Sequence, residues 1–246
     1  MGGFVMNIYD SWLAKQKIAH RGLHDETSPE NTLSAFEKAI KGGYAIETDL
    51  HMTADGMVVV FHDENMKRLT GLDADIREVP YSQIKDLTIL NSEEKIPLFK
   101  DFLNFIKGRQ PLLIEIKDHK NIGVMEQKVA DILKDYKGEF ALQSFNPFIV
   151  KWFADNTPQY IRGQLSSCFK DADLAWWKKF MLKNLFFIKS NKSQFVSYDA
   201  EDIARPQILR VKKRMPIIAW TVRSEQEAKK VSRYCDNIIF ENYIPH

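Results

Sequence analysis

The sequence predicts an α/β fold, a (β/α)8 barrel of the TIM type, and three observations predict it. Short apolar runs alternate with helical patterns along the chain, the signature of a parallel sheet with helices outside it. The runs begin near residues 17, 45, 112, 140, 161, 195, 216 and 237, and eight such units in 246 residues match the size of a barrel. Histidines and carboxylates stand at the ends of the early runs, where a barrel carries its active face. A doubly wound open sheet is the competing arrangement, but no Gly-x-Gly-x-x-Gly follows the first strand to support it.

Tyr9 to Gln16 reads as a short opening helix, and Lys17-Ile18-Ala19 as a strand ending at His20. Asn31 or Thr32 caps a helix through Leu33, Phe36, Ala39 and Ile40, which Gly42-Gly43 ends. Ala45 to Met52 is a strand, Asp55-Gly56 turns it, and Met57 to Phe61 returns as the second arm of a hairpin. Residues 64–98 are more polar and less periodic. They read as a short insertion after the second strand, with a turn of helix at Ser82 to Leu87. Leu98 to Ile106 is helical. Strand Leu112 to Lys117, helix Val124 to Tyr136, strand Phe140 to Phe145, helix Pro147 to Ala154 and strand Ile161 to Ser166 follow. Asp171 to Ile188 is a long or broken helix. Strand Phe195 to Tyr198 precedes helix Ile203 to Arg214, which takes Pro206 in its first turn. Strand Pro216 to Val222, helix Glu225 to Tyr234 capped by Ser224, and strand Asn237 to Phe240 complete the series. Six residues follow Phe240, too few for a full final helix, so Tyr9 to Gln16 is expected to cover that gap. No repeat, low-complexity tract or linker divides the chain, so residues 1–246 read as one domain.

Composition narrows the function. Hydrophobic residues make up 44%, enough to bury a core. The net charge of +2 lacks the basic excess of a nucleic-acid binder. Cys168 and Cys235 form neither a metal spacing nor a disulfide frame, and read as reduced thiols of a cytoplasmic protein. Met1 to Asn7 does not read as a signal peptide, and Met6 breaks the myristoylation pattern that Gly2 suggests. No apolar run approaches the ~20 residues of a membrane span.

The chemistry-bearing residues are His20, Arg21, Glu47, Asp49, His62, Glu115 and Lys117. Glu47 and Asp49 are two apart on one strand and share a side, as do Glu115 and Lys117 on another. Three carboxylates from adjacent strands repel one another unless a cation joins them, and an all-oxygen set favours Mg2+ or Ca2+ over zinc. The alternative leaves Glu47 and Asp49 exposed and pairs Glu115 with Lys117. Spacing alone leaves both readings open. Two histidines at separate strand ends suit acid–base work near neutral pH, and Arg21 suits an anion such as phosphate. His24, His51, His119 and His246 read as structural, with His51 the nearest to the site because it lies two beyond Asp49.

The ordered pattern His20-Arg21-Gly22, Pro29-Glu30-Asn31-Thr32, Glu47-x-Asp49, Asp55-Gly56 and Val59-Val60-Phe61-His62-Asp63 resembles the glycerophosphodiester phosphodiesterase family of phospholipase C-like barrels. Arg68-Leu69-Thr70-Gly71, Ile96-Pro97-Leu98, Leu113 to Lys117, Gln143-Ser144-Phe145 and Ala219-Trp220-Thr221-Val222 extend the resemblance along nearly the whole chain. It implies hydrolysis of glycerophosphodiesters to sn-glycerol 3-phosphate and an alcohol. It also implies His20 and His62 as the acid–base pair, Glu47, Asp49 and Glu115 as ligands of one divalent cation, and Arg21, Lys117 and Trp220 on the substrate. A related barrel acting on intact lipid, or a silent binding barrel, are the alternatives. The chain departs from the family at Glu241-Asn242, where a threonine–aspartate-like ending is usual, which bears on glycerol-side contacts.

Leu174 to Ile188 combines an apolar stripe (Leu174, Trp177, Met181, Leu185, Ile188) with Trp176, Phe180, Phe187 and three lysines. It reads first as an outer barrel helix packed on the strands, with snorkelling lysines. A helix on a membrane surface and a homo-oligomer contact are the lesser readings.

Overall fold

The computed structural model describes residues 8–170 and 172–245. Met1 to Asn7, Asp171 and His246 lie outside the described residues, and with them the readings of the N-terminal leader and of His246.

Nine strands form one sheet: β1 (Ile18–Ala19), β2 (Ala45–Met52), β3 (Val58–Val60), β4 (Leu112–Ile116), β5 (Phe140–Ser144), β6 (Ile161–Ser166), β7 (Phe195–Asp199), β8 (Ile217–Val222) and β9 (Asn237–Phe240). β3 pairs antiparallel with the outer end of β2, Leu50 opposite Val60 and Met52 opposite Val58. The other eight are parallel and close into a ring, because β1 pairs with both β2 and β9. The predicted barrel is therefore present, and β2, β6 and β9 occupy the residues expected of them.

Strand periodicity divides the ring into an inner and an outer face. The outer residues Ile46, Leu50, Leu112, Ile114, Ile116, Leu142, Val196, Ile217 and Ala219 pack in one cluster with apolar residues of the surrounding helices. Helix Leu33–Lys41 shows how the sequence builds one such contact. Thr32 accepts a bond from the Ala35 N–H at its start, Gly42 caps its end, and it buries Ala35, Phe36 and Ala39. Inside the ring, Ile18, Ala45, Leu113, Ala141, Phe195, Ile218 and Ile239 form a separate floor.

Trp12 and Leu13 join that floor, and Asn237 Nδ2 donates to the Leu13 carbonyl at 2.9 Å. The N-terminal segment is a 3-10 turn (Ile8–Asp10) and a short helix (Trp12–Lys15), and it stoppers the barrel's lower end. It does not cover the flank where a last helix would lie, which corrects the sequence expectation. The floor side chains leave an apolar opening, and Trp12 and Leu13 are the apolar groups that reach it.

The insertion also differs from its polar reading. Met66, Leu69, Ile76, Ile84, Ile89 and Ile96 pack with Val59 and Phe61 in an apolar layer of their own. Two short helices, Lys67–Thr70 and Tyr81–Ile84, belong to it. Its apolar residues come singly, at irregular intervals, so no period announces them.

The largest correction concerns residues 174–188. Only Trp176–Lys183 is helical, and none of those eight residues is buried. Leu185 takes a positive φ of 60°, which breaks the helical stripe, and it alone of the stripe turns fully into the core. The reading as a helix packed on the strands therefore does not hold.

Candidate active site

The inner-face positions two residues beyond the floor carry ionisable side chains. Ile18 leads to His20, Ala45 to Glu47 and Leu113 to Glu115. Asp49 stands opposite Glu115 in the β2–β4 register. Glu47, Asp49 and Glu115 are buried, and each offers an oxygen within 4.8 Å of the others. This overturns the reading of Glu47 and Asp49 as exposed. The pairing of Glu115 with Lys117 exists alongside the convergence: Lys117 Nζ donates to Glu115 Oε1 at 2.7 Å and lies 2.8 Å from Asp49 Oδ1.

The cluster is electrostatically divided. Burial, then Asp49 and Glu115, push Glu47 well above the usual carboxylate range. Burial also raises Glu115, against the pull of Lys117. Burial would raise Asp49 too, but Lys117, His62 and Arg21 outweigh it and hold it low. Lys117 keeps its proton more firmly than an ordinary lysine, because Asp49 and Glu115 more than offset its own burial. Two buried acids that resist ionising, beside one that is ionised, form an oxygen donor set whose charge a hard divalent cation satisfies. The residues fit such an ion. Among the described residues, the two other acid–histidine groupings are already matched by arginine, Glu241 to Arg223 and the Glu30–Asp63 pair to Arg68.

His20 and His62 are each oriented by a carboxylate on Nδ1. His20 Nδ1 lies 2.6 Å from Glu241 Oε2, and its Nε2 lies 4.0 Å from Glu47 Oε2. Burial lowers the His20 pKa to about 4, against the opposing hydrogen bond from Glu241, so the ring is neutral near pH 7. Nδ1–H then donates to Glu241 and leaves the Nε2 lone pair facing the acids. His62 Nδ1 lies 2.6 Å from Asp63 Oδ1. Arg68 holds Asp63 with Nε and Nη2 at 2.7 and 2.9 Å, and holds Glu30 with both Nη atoms at 2.8 Å.

Arg21 reaches the site but is engaged by protein. Its Nη1 donates to Glu30 at 2.7 Å, its Nε lies 3.5 Å from Asp49, and its backbone N–H donates to Glu47 at 2.9 Å. Gly22 follows with a φ of +80°, and an added Cβ there would meet the Ala35 backbone at 2.9 Å, so only glycine permits this turn. Trp220 lies on the inner face of β8, edge-on to Phe145 at 5.5 Å, and its indole N–H has no partner among the described residues. His51 is buried, near the site but structural: its Nε2 meets the His62 carbonyl at 3.0 Å, and burial lowers its pKa to about 4. His119 pairs with Glu126 at 3.1 Å.

Three contributors are not among the chemistry-bearing residues of the sequence reading. Glu241 anchors His20, Asp63 anchors His62, and Asn31 donates to Asp49 at 2.9 Å. Glu241 ends a barrel strand, and that position is the one signal that marks it.

A family model described as the glycerophosphoryl diester phosphodiesterase family matches residues 20–244. The chain belongs to this family. Among its relatives, the uncharacterized protein YqiK of Bacillus subtilis is 34% identical over 161 residues, 61% of this chain and 66% of that protein. The human lysophospholipase D GDPD1 is 35% identical over 135 residues, 50% of this chain and 42% of that protein. The chain thus spans less than two thirds of the length of these relatives. A glycerophosphodiester phosphodiesterase of Thermotoga maritima superposes with a TM-score of 0.71 at 26% identity, over 91% of this chain and 92% of that one. The fold is also shared with an Oleispira antarctica phosphodiesterase solved with the product sn-glycerol-3-phosphate, TM-score 0.75 at 24% identity, over 93% of each chain. Family members thus bear out the barrel and the resemblance that the motifs carry. No helix among the described residues is long and apolar enough to cross a membrane.

Proposed function

We propose that this chain hydrolyses glycerophosphodiesters to sn-glycerol 3-phosphate and an alcohol. In this reading Glu47, Asp49 and Glu115 hold one divalent cation, Mg2+ or Ca2+, and His20 and His62 transfer the protons. The observation that carries it is the convergence of three buried carboxylates between two histidines, each braced by its own carboxylate. When bound, the cation supplies Lewis-acid polarisation of a phosphoryl oxygen. Lys117 and Arg21 add positive charge that offsets the anionic phosphodiester and the charge of its transition state. One histidine takes the proton of the attacking oxygen, from water or the neighbouring glycerol hydroxyl, and the other returns a proton to the leaving alkoxide. Trp220, on the inner face of β8, contributes to the substrate site in this reading. An enzyme-coupled assay of glycerol 3-phosphate tests this across choline, ethanolamine, glycerol and inositol head groups, with Mg2+, Ca2+ or chelator. Turnover that needs neither cation nor His20 would sink the reading.

A second reading is supported by one feature, an apolar groove of about 290 Å3 lined by Phe145, Pro147, Phe148, Phe169, Trp177 and Phe187 among others. Phe145 and Asp118 line both this groove and the cleft that holds His62, Glu115 and Lys117. A substrate with one hydrocarbon chain would rest the chain there, in keeping with the lysophospholipase D name of the human relative. Choline release from lysophosphatidylcholine and glycerophosphocholine compares the two substrates directly. Phe148 lines the groove and not the cleft, so Phe148→Ala should raise KM for the first severalfold and leave the second nearly unchanged. Equal effects on both would remove the chain site.

A further inference from the structure

The geometry points to a membrane-docking surface formed by the Trp176–Lys183 helix and the turn at Phe186, fitted to a bilayer that carries anionic lipid. The chemistry above makes no use of the outward aromatics of this segment. Trp176 is 79% exposed, Phe186 and Phe148 are each 59%, Trp177 is 49% and Phe180 is 48%. Scattered apolar side chains are ordinary on a protein surface, but a contiguous group marks an interaction site. Here the aromatics gather in neighbouring pairs, and Phe148, Trp177 and Phe187 line one groove. Phe180 and Phe186 lie 5.8 Å apart between ring centroids, and Phe148 packs on Phe187 at 6.1 Å. Tryptophan, an apolar body with one polar N–H, favours the boundary between head groups and chains.

Charge selects the partner. From Leu174 to Lys189 the chain carries Lys178, Lys179, Lys183 and Lys189 and no Asp or Glu. Lys178 Nζ lies 5.5 Å from the Trp177 ring and Lys183 Nζ 5.9 Å from the Phe180 ring. The ammonium groups thus sit over aromatic faces in cation–π contact, so positive charge and aromatic surface share one patch. A second copy of this chain would set lysines against lysines, and protein interface cores are depleted in lysine. An anionic lipid surface attracts each of them. The patch is continuous with the catalytic cleft. Phe148 and Trp177 belong to both the patch and the apolar groove, and that groove reaches Phe145 at the catalytic cleft. A docked molecule therefore holds its cleft beside the bilayer surface.

Co-sedimentation with two sets of vesicles tests the proposal, one of phosphatidylcholine alone and one with about one-third phosphatidylglycerol. The wild type should partition to the anionic vesicles about tenfold more strongly than to the neutral ones. Trp176→Ser/Phe180→Ser/Phe186→Ser should lose about tenfold on the anionic vesicles. Lys179→Gln/Lys183→Gln/Lys189→Gln should lose the preference for anionic lipid. Both variants should hydrolyse free glycerophosphocholine like wild type, since none of these side chains lines the cleft, and unchanged far-UV circular dichroism confirms their folding. Negligible pelleting of wild type with either vesicle overturns the proposal, as does equal pelleting of all three proteins. A vesicle-free dimer that the aromatic substitutions abolish assigns the face to a second copy and overturns it too. Vesicle binding by a protein with no phosphodiesterase activity would sink the catalytic reading and leave this one standing.

Discussion

The floor and the mouth of this barrel are built from the same strands, two residues apart, under opposite physics. At the floor Ile18, Ala45, Leu113 and Ile239 close on Trp12 and Leu13. At the mouth the next inward residues are His20, Glu47, Glu115 and Glu241, tied by hydrogen bonds and ion pairs. Burying the floor side chains stabilises the fold. Burying the mouth side chains disfavours their charged forms, as the raised Glu47 and Glu115 and the lowered His20 record. The floor therefore carries stability, and in the proposed reading the mouth carries chemistry. One step along a strand separates the two roles.

Substitutions can break that division. The largest effect should come from the mouth: His20→Ala should lower kcat/KM by about 10²–10⁴-fold with little change in the urea midpoint. A loss of stability as large as the loss of activity would erase the contrast. The floor should respond the opposite way. Leu113→Ala removes a fully buried side chain and should cost about 2–5 kcal/mol in urea unfolding, with kcat/KM of the folded enzyme within a few-fold of wild type.

Glu241→Gln sharpens the comparison, because it leaves His20 in place and removes the charge that orients it. A drop of about 10–100-fold in kcat/KM is expected, partly restored in Glu241→Asp, together with a shifted pH–rate profile. An unchanged profile would reduce Glu241 to packing.

The smallest effect concerns Asp63. Burial works against its charge, but His62 and Arg68 outweigh that and hold its pKa below the ordinary 3.8. A depressed folded-state pKa stabilises the protein fully above the unfolded value and loses that stabilisation as pH falls through the folded one. Screening limits it to under about 1 kcal/mol. The urea midpoints of wild type and Asp63→Asn should differ at neutral pH and converge as pH drops below 3.8. A constant gap would contradict the pairing.

Much of this was legible in the sequence because two signals coincide there. Short continuous apolar runs mark the strands, and Glu47, Asp49, Glu115 and Lys117 fall at their inward positions. Thr32 likewise announces its helix by hydroxyl capping. Other features have no local signal. Nothing near Glu241 says that it will meet His20, 221 residues away, since only ring closure joins β9 to β1. The stopper role of Trp12 and Leu13 likewise depends on the closed ring beneath which they sit. The aromatic helix misleads for a different reason: its stripe has the period of a packed helix, but the positive φ at Leu185 breaks it and no side chain of Trp176–Lys183 is buried. Amphipathic period reports a face and leaves open what that face meets.

The ring has one short seam. β1 is two residues long and contributes two register pairs to β2 and two to β9, while β2 and β4 share five. Beyond that seam, the first histidine is latched across it by Glu241 on one side and lies near Glu47 on the other. A ligand that engages His20 and the carboxylates together would act as a clasp on the barrel's weakest joint. Amide exchange should thus be fastest, among the barrel strands, at Ala19 and His20, and it should slow there first when product and cation are added. Uniform protection of all strands on loading would refute the clasp.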